Sequence, residues 1–171
     1  MWGAAKHEQA TGIHRPLRAT ITLLAPLKGT ERQFIIALDH CVMGRQEMDN
    51  LLNTVSKESG IPHKELFVVF SHTHAAGLMG LERSHFPGGD LIKPYLDSIA
   101  LKIIDLAKEA IENLQPVTIL YGTGKCDLAA NRDYWDEKNQ LWACGYDPDT
   151  PADDTVLVAQ ALGEDGTLLA S

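Results

Sequence analysis

Two histidines, His72 and His74, are the residues whose type and spacing point most directly to chemistry. They follow the apolar run Leu66–Phe70, which is rich in β-formers and predicts a buried strand. Because alternate residues of a strand point to the same side, we expect both imidazoles to project together from its end. Two such imidazoles can share a metal ion or divide the roles of ligand and acid/base. The spacing alone leaves a second interpretation open, in which both are polar groups satisfied at a strand end.

Asp39 and His40 also follow a predicted strand, Gln33–Leu38. The carboxyl ends of neighbouring strands are where α/β proteins place their sites, so Asp39 is a candidate to support His72. An equally consistent interpretation makes Asp39 a charge at a helix N-terminus. His40, like the other scattered histidines, is expected to lie on the surface or in a loop.

Asn131 and Arg132 form a further candidate site beyond a glycine-rich strand end. An Arg guanidinium can clamp a carbonyl oxygen or a carboxylate, although composition alone favours a solvated side chain. Three aromatic residues follow, Tyr134, Trp135 and Trp142. They predict either the lining of an apolar substrate groove or the private core of a loop.

The elements that must position the histidines alternate along the first part of the chain. Residues 18 to 25 and Gln33–Leu38 are two β-rich runs on either side of a turn signal, which predicts an antiparallel hairpin. Residues 44 to 59 predict a helix with one apolar face, and Leu66–Phe70 follows it. A strand, a helix and a strand in this order predict a βαβ unit, normally with parallel strands.

The same alternation continues into the last third of the chain. Residues 92 to 113 predict a second helix and residues 117 to 121 a short strand. Residues 125 to 154 predict a long, functional connection, and a pair of strands at 155 to 162 and 167 to 170 closes the chain. We therefore expect an α/β fold, a mixed β-sheet layered with helices, in which a hairpin is followed by βαβ units. Because the last strand is cut short, we expect an incomplete domain.

Composition and charge exclude several classes of protein. A formal net charge of −8 over 171 residues argues against nucleic acid or an anionic membrane as the partner. No apolar run is long enough for a transmembrane helix. Cys41, Cys126 and Cys144 are too few and too far apart for a disulfide framework or a Cys-x-x-Cys zinc site. Residues 1 to 9 lack the core of a signal peptide, so the default compartment is the cytoplasm, with secretion open if a signal was removed.

Several segments of the chain match one family pattern in order and spacing. Residues 12 to 19, Gly-Ile-His-Arg-Pro-Leu-Arg-Ala, are similar to Gly-Val-His-Asp-Pro-Leu-x-Ala. Residues 71 to 77, Ser-His-Thr-His-Ala-Ala-Gly, are similar to Ser/Thr-His-Thr-His-Ser-Gly-Pro. The remaining matches are the hairpin ending at Leu38-Asp39, Asn131-Arg132, Asp147-Pro148 and residues 154 to 170. Together they resemble the neutral/alkaline ceramidases, zinc-dependent amidases that cleave the N-acyl bond of ceramide.

The resemblance implies a role for each candidate residue. His72 would be a zinc ligand, and His74 would contact the substrate or handle a proton. Arg132 would face the polar head of the substrate, with Asn131 supporting it. The remaining ligands, a histidine, a glutamate and a tyrosine, and a catalytic serine would lie beyond Ser171. The resemblance thus implies that residues 1 to 171 are the N-terminal portion of a ceramidase-like zinc amidohydrolase domain and supply one zinc ligand of four.

Differences from the family bear on the substrate more than on the zinc chemistry: Ala75-Ala76-Gly77 replaces Ser-Gly-Pro, and Arg15 replaces Asp. The predicted function is part of a zinc-dependent hydrolase that cleaves a linear amide of a ceramide-like or related lipid or small molecule through metal-activated water. Two alternatives stay open. The chain is an inert fragment or binding module with an incomplete metal site, or it hydrolyses other esters or amides on the same scaffold. No sequence feature predicts an oligomeric state.

Overall fold

The computed structural model describes residues 10 to 171, which belong to two compact units. The first unit extends to Leu114, and the second is Gln115–Ser171. The interpretation of residues 1 to 9, that they lack a signal-peptide core, falls outside the described part of the chain. No helix in the described part is long and apolar enough to cross a membrane, as the sequence predicts.

The first unit contains a three-stranded sheet that begins with the predicted hairpin. Strands β1 (Ala19–Leu24) and β2 (Gln33–Leu38) pair antiparallel, and β3 (Leu66–Phe70) pairs parallel to β2. The strand order is therefore β1-β2-β3. The parallel register places Leu38 opposite Phe70, so β2 and β3 end at the same edge of the sheet.

Two helices complete the first unit at the predicted positions. Helix α1 (Arg45–Ser59) connects β2 to β3 and confirms the βαβ unit. It ends at Gly60, whose φ of 71° lies in the left-handed region that glycine adopts without steric cost. Helix α2 (Ile92–Glu112) follows a segment with two short 3₁₀ helices, Leu81–Arg83 and Gly89–Leu91.

The core of the first unit lies between one face of the sheet and the two helices. Phe34 and Ile36 of β2 are fully buried and pack in one cluster with Val55 of α1 and Ile103 of α2. Each such side chain contributes about 1.5–3 kcal/mol by leaving water. This cluster fixes the strand ends from which the candidate histidines follow.

The prediction that β3 is a buried strand holds for one of its faces and is wrong for the other. Leu66 lies in the core cluster, with Val68 and Phe70 packed against it, whereas Phe67 and Val69 are 58% and 44% exposed. The reason is that the helices of this unit cover one face of the sheet. The five consecutive apolar residues of β3 therefore form a strand with one buried face and one exposed face.

The second unit contains two further sheets. Strand β4 (Thr118–Lys125) pairs antiparallel with β7 (Thr155–Leu162), and β8 (Leu168–Ala170) pairs with the other edge of β7. Strands β5 (Asp133–Asp136) and β6 (Leu141–Cys144) form a separate hairpin. The predicted closing pair of strands is confirmed.

Two features of the second unit differ from the sequence interpretation. The segment from 125 to 154 is not a structureless connection, because it contains the β5–β6 hairpin. Its turn is held by Asp136, which accepts hydrogen bonds from the backbone N–H groups of Lys138 and Asn139 at 3.0 and 3.1 Å. Strand β4 continues through Gly122 and Gly124, because β7 pairs with it along its whole length.

The α/β class is confirmed, since strands and helices are mixed along the chain. The strands of the described residues are distributed over three sheets rather than one. A second βαβ unit does not form between β3 and β4, because β4 pairs with β7 instead.

Candidate metal centre

Two strand ends place Cys41 and His72 at one edge of the first sheet. Cys41 follows the end of β2, and His72 follows the end of the parallel strand β3. The Ser71 N–H donates to the Leu38 carbonyl at 3.1 Å, which extends the pairing just beyond the two strands. Side chains that follow neighbouring parallel strands meet at this carboxyl-end edge, where α/β proteins place their sites.

Cys41, His72 and His74 bring three metal-ligating atoms together. The Cys41 sulfur lies 3.4 Å from His72 Nδ1 and 3.5 Å from its Nε2. The ring centroids of His72 and His74 are 5.4 Å apart, with their planes tilted by 52°. One ligand atom from each of the three residues lies within 4.8 Å of the other two. Among residues 10 to 171, no fourth His, Cys, Asp or Glu joins this group.

The two imidazoles are neighbours, but strand alternation is not the reason. Strand β3 ends at Phe70, and His72 has a φ of 56°, in the left-handed region that non-glycine residues rarely adopt. The Ala75 N–H donates to the Thr73 hydroxyl at 3.2 Å and holds the turn after it. The predicted projection from an extended strand is therefore wrong in its mechanism, although the rings do lie together.

The residues present fit a zinc ion. Zinc binds sulfur at about 2.3 Å and imidazole nitrogen at about 2.0–2.1 Å, which sets sulfur and nitrogen about 3.5 Å apart in a tetrahedral site. The Cys41 sulfur lies 3.4 Å from His72 Nδ1, close to that distance, but it is almost equally far from Nε2, so the His72 ring must turn before one of its nitrogens can share an ion with the sulfur. The three ligand atoms lie within 4.8 Å of one another, so binding one ion also requires the group to contract. Soft sulfur with imidazole favours zinc over magnesium or calcium.

The contact between Cys41 and His72 is poorly aligned for a hydrogen bond. The two ring nitrogens have lone pairs that diverge, and the sulfur is almost equidistant from both. It therefore lies off both lone-pair directions, where a hydrogen bond is weak. Cys41 is only 3% exposed, which leaves little access for a substrate to a sulfur nucleophile but does not hinder a metal ligand.

Asp39 and His40 have structural contacts next to this group. The Asp39 carboxylate accepts a hydrogen bond from the Arg18 N–H at 3.0 Å, and the Asp39 N–H donates to the Arg18 carbonyl at 2.9 Å. Asp39 therefore ties the end of β2 to the start of β1. His40 lies in the loop after β2, as one of the two expected placements has it, but not on the surface: its side chain is buried and its Nε2 lies 2.9 Å from the Tyr95 hydroxyl oxygen.

Burial shifts the pKa values of this pair in opposite directions. Loss of hydration lowers the pKa of His40, and the nearby Asp39 charge offsets that shift only in part. Loss of hydration raises the pKa of Tyr95. Both side chains are therefore neutral near pH 7.

Asn131 and Arg132 lie in the second unit, where both side chains bind backbone carbonyls. Asn131 Nδ2 donates to the carbonyls of Thr150 and Pro151 at 3.1 and 3.2 Å. Arg132 Nε donates to the Gly145 carbonyl at 2.9 Å. These bonds connect the β5–β6 hairpin to the segment after it. The roles in substrate binding and catalysis that the resemblance implies stay predictions.

The aromatic residues of the same hairpin form a cross-strand contact. Trp135 and Trp142 are register partners on β5 and β6, and their rings meet edge to face with centroids 5.7 Å apart. Tyr134 pairs with Ala143 in the same ladder. Trp135 and Trp142 are 40% and 71% exposed, so the ring contact stabilises the hairpin from its surface and does not decide between a groove lining and a loop core.

Sequence reasoning missed Cys41 as a partner of the two histidines. The spacing of the cysteines along the chain does not indicate that Cys41 lies near His72. The predicted parallel pairing of the two strands does indicate it, because it places the residues after each strand at one edge of the sheet.

Comparisons with known protein families, curated proteins and solved structures gave no match. The function of the chain must therefore be argued from its own residues.

Proposed function

We propose that this chain binds zinc through Cys41, His72 and His74 and forms part of a zinc-dependent hydrolase. The observation that carries this proposal is the approach of three ligand atoms to within 4.8 Å of one another. A thiolate with two imidazoles is a donor set that suits zinc. Three protein ligands are also the number that catalytic zinc sites use, since they keep one coordination position for water or substrate. This set differs from the one that the resemblance implies, in which His72 is the one ligand within residues 1 to 171.

The proposed reaction is cleavage of the N-acyl bond of a ceramide-like or related amide. When bound, zinc supplies a Lewis acid that polarises the amide carbonyl and lowers the pKa of water. Cys41 holds the ion from the buried side, and His72 holds it from the turn after β3. The choice of an amide rests on the resemblance of residues 71 to 77 and the flanking segments.

His74 has two candidate roles, zinc ligand and proton carrier. As a ligand it completes the three-residue set; as a proton carrier it protonates the leaving amine. We propose the ligand role, because its nitrogen belongs to the group of three. Replacement His74→Gln distinguishes the two: loss of zinc supports the ligand, and retained zinc with lost activity supports the proton carrier.

The decisive variant for the metal is His72→Asn. Asn tolerates the left-handed backbone conformation of His72 but lacks the imidazole, so the variant removes a ligand with little added strain. Zinc content is measured by plasma mass spectrometry after dialysis, for the wild type and for His72→Asn. His63→Asn is the matched control, since His63 lies in a short 3₁₀ helix before β3. Equal zinc content in all three proteins overturns the proposed site.

The activity test uses the full natural protein that carries this sequence. We expect hydrolysis of N-acyl amides that is lost on chelation, is restored by zinc, and is absent in His72→Asn. Hydrolysis of esters or lactones alone supports a different substrate class on the same scaffold. A protein that binds zinc and hydrolyses none of these substrates overturns the hydrolase proposal and favours the binding module.

A further inference from the structure

A cavity of about 510 Å³ lies beside the candidate metal centre in the first unit. Its wall includes His40, residues 77 to 79 and 86 to 89 with Arg83 between them, and the start of α2 with Ile92 and Tyr95. His40 is the chain neighbour of Cys41, so their Cα atoms are about 3.8 Å apart. Apolar side chains dominate the wall, and both this character and the volume are typical of small-molecule sites.

The buried His40 and the partly exposed Tyr95 place a hydrogen-bond donor at this cavity. His40 Nε2 bonds to the Tyr95 hydroxyl oxygen, while His40 Nδ1 is buried with no hydrogen-bond partner among the described residues. An orphaned buried N–H is rarer than an under-satisfied acceptor. The favoured tautomer therefore carries its proton on Nε2 and donates it to Tyr95. The Tyr95 hydroxyl proton is then free to donate to a ligand.

Arg83 adds a positive charge to the same wall. Its guanidinium lies over the Phe86 ring, 5.2 Å from the ring centroid, which supports the side chain against the cavity. None of the carboxylates in the described part of the chain forms an ion pair with it. The lining residues include no Asp or Glu. The wall thus offers two donors, Arg83 and Tyr95, and no carboxylate to neutralise the cation.

We propose that this cavity binds a small organic carboxylate with an apolar body. The carboxylate accepts hydrogen bonds from Arg83 and Tyr95, and the apolar body covers the aliphatic and aromatic wall. Helix α2 begins at Ile92 in the same wall, and the dipole at a helix N-terminus also favours an anion. The net charge of −8 opposes an anion only weakly, because charges farther away than about 8 Å are screened at physiological ionic strength.

A second cavity of about 470 Å³ lacks this character. Its wall contains Glu47, and its Lys93 already forms an ion pair with Asp97 at 2.7 Å. A carboxylate ligand would meet an acidic wall and a cation that is already paired. The contrast assigns the anion to the cavity at Arg83.

This proposal goes beyond the zinc hydrolase. A free carboxylate is a group that ceramide lacks and that hydrolysis of an N-acyl amide releases, but the proposal does not rest on that reaction, because neither donor belongs to the metal-ligand group. Binding in the cavity therefore does not need zinc. A test on metal-free protein separates failure of this proposal from failure of the proposed hydrolase.

The experiment measures the Kd of phenylbutanoate for the chelator-treated chain by isothermal titration calorimetry. Phenylbutanamide, a neutral ligand of nearly the same shape, is the comparison. We expect the carboxylate to bind more tightly, by about 10-fold or more, since its hydrogen bond to Arg83 is charge-assisted. Equal Kd values for the acid and the amide, or no binding by either, would overturn the proposal.

Two variants locate the binding. Arg83→Gln is expected to weaken phenylbutanoate binding by about 10- to 100-fold, and Tyr95→Phe by about 2- to 10-fold. Arg45→Gln is the matched control, because the Arg45 side chain is 95% exposed and lies outside the cavity. Circular dichroism confirms that each variant is folded. An Arg83→Gln protein that binds as the Arg45→Gln protein does contradicts the assignment.

Discussion

The two units of the chain hold their structure by different means. The first has a cluster of buried side chains from β2, α1, β3 and α2. In the second, every residue of β4 and β8 is at least partly exposed, and so is every residue of β7. The β5–β6 hairpin of the second unit is held instead by ladder bonds, turns and one tryptophan pair.

This difference decides how firmly the surrounding structure holds the side chains of each candidate site in place. Cys41 and His72 follow strands that a packed core holds in register, so their separation is fixed by many side chains. Asn131 and Arg132 are held by a few hydrogen bonds to exposed carbonyls. Sites built on packed elements keep their geometry better than sites built on loops. Substitutions in the two units test this difference.

The largest expected effect is the loss of a core side chain in the first unit. Ile36→Ala removes a fully buried side chain of β2 and should lower the free energy of unfolding by about 2–5 kcal/mol. Leu157→Ala on β7 is the comparison, since Leu157 is 78% exposed, and its cost should stay within about 0.5 kcal/mol. Urea denaturation followed by circular dichroism measures both. Similar losses for the two variants would remove the distinction between the units.

The second effect is stabilisation of the first unit by zinc. A ligand that binds only the folded state at 100 times its Kd adds about 2.7 kcal/mol, so zinc should raise the Tm. Cys41→Ser should abolish this zinc-induced shift, whereas Cys144→Ser, which replaces an exposed free thiol of the second unit, should keep it. Comparing each variant with and without zinc cancels the intrinsic cost of the substitution. A shift that survives in Cys41→Ser contradicts the ligand assignment.

A smaller effect is expected in the second unit from the tryptophan pair. Trp142→Ala removes the edge-to-face contact with Trp135, which should cost about 0.5–1.5 kcal/mol. Leu141→Ala changes the neighbouring position of the same strand and leaves the ring contact in place. Near-ultraviolet circular dichroism reports the ring pair, and denaturation reports the loss. If Leu141→Ala costs as much as Trp142→Ala, the pair does not hold the hairpin.

The smallest effect is the pH dependence of the stability that Asp165 contributes in the turn before β8. Asp165 accepts hydrogen bonds from the backbone N–H and the hydroxyl of Thr167, both at 2.9 Å, and these bonds lower the pKa of Asp165. Because the folded pKa lies below the unfolded one, this contribution is present above the unfolded pKa and is lost as pH falls through the folded pKa. Carbon NMR should give a lower titration midpoint for Asp165 in the folded chain than in urea. Coincident midpoints would contradict the bonds.

Much of the first unit could be predicted from its sequence, because the local sequence patterns agree with the elements that the folded unit contains. Apolar periodicity located α1, Gly60 marked its end, and β-rich runs located the three strands. The exposure of Phe67 could not be predicted, because periodicity does not say how many faces of a sheet are covered. The burial of His40 and its contact with Tyr95, which lies far along the chain, depend on tertiary structure.

The candidate site was predicted only in part. The spacing of His72 and His74 was informative, but the left-handed turn at His72 and the contact with Cys41 depend on tertiary structure. In the second unit, β5 and β6 have four residues each, and β5 has an aspartate at both ends, so their patterns were too short to distinguish from a loop. The roles of Asn131 and Arg132 stay predictions from resemblance.

The most direct test of the central claim is X-ray absorption spectroscopy at the zinc edge of the loaded protein. Coordination by Cys41, His72 and His74 predicts one sulfur at about 2.3 Å and imidazole nitrogens at about 2.0–2.1 Å. In Cys41→Ser the sulfur shell should disappear. A zinc-loaded wild type whose spectrum shows only nitrogen and oxygen neighbours would contradict the proposed centre.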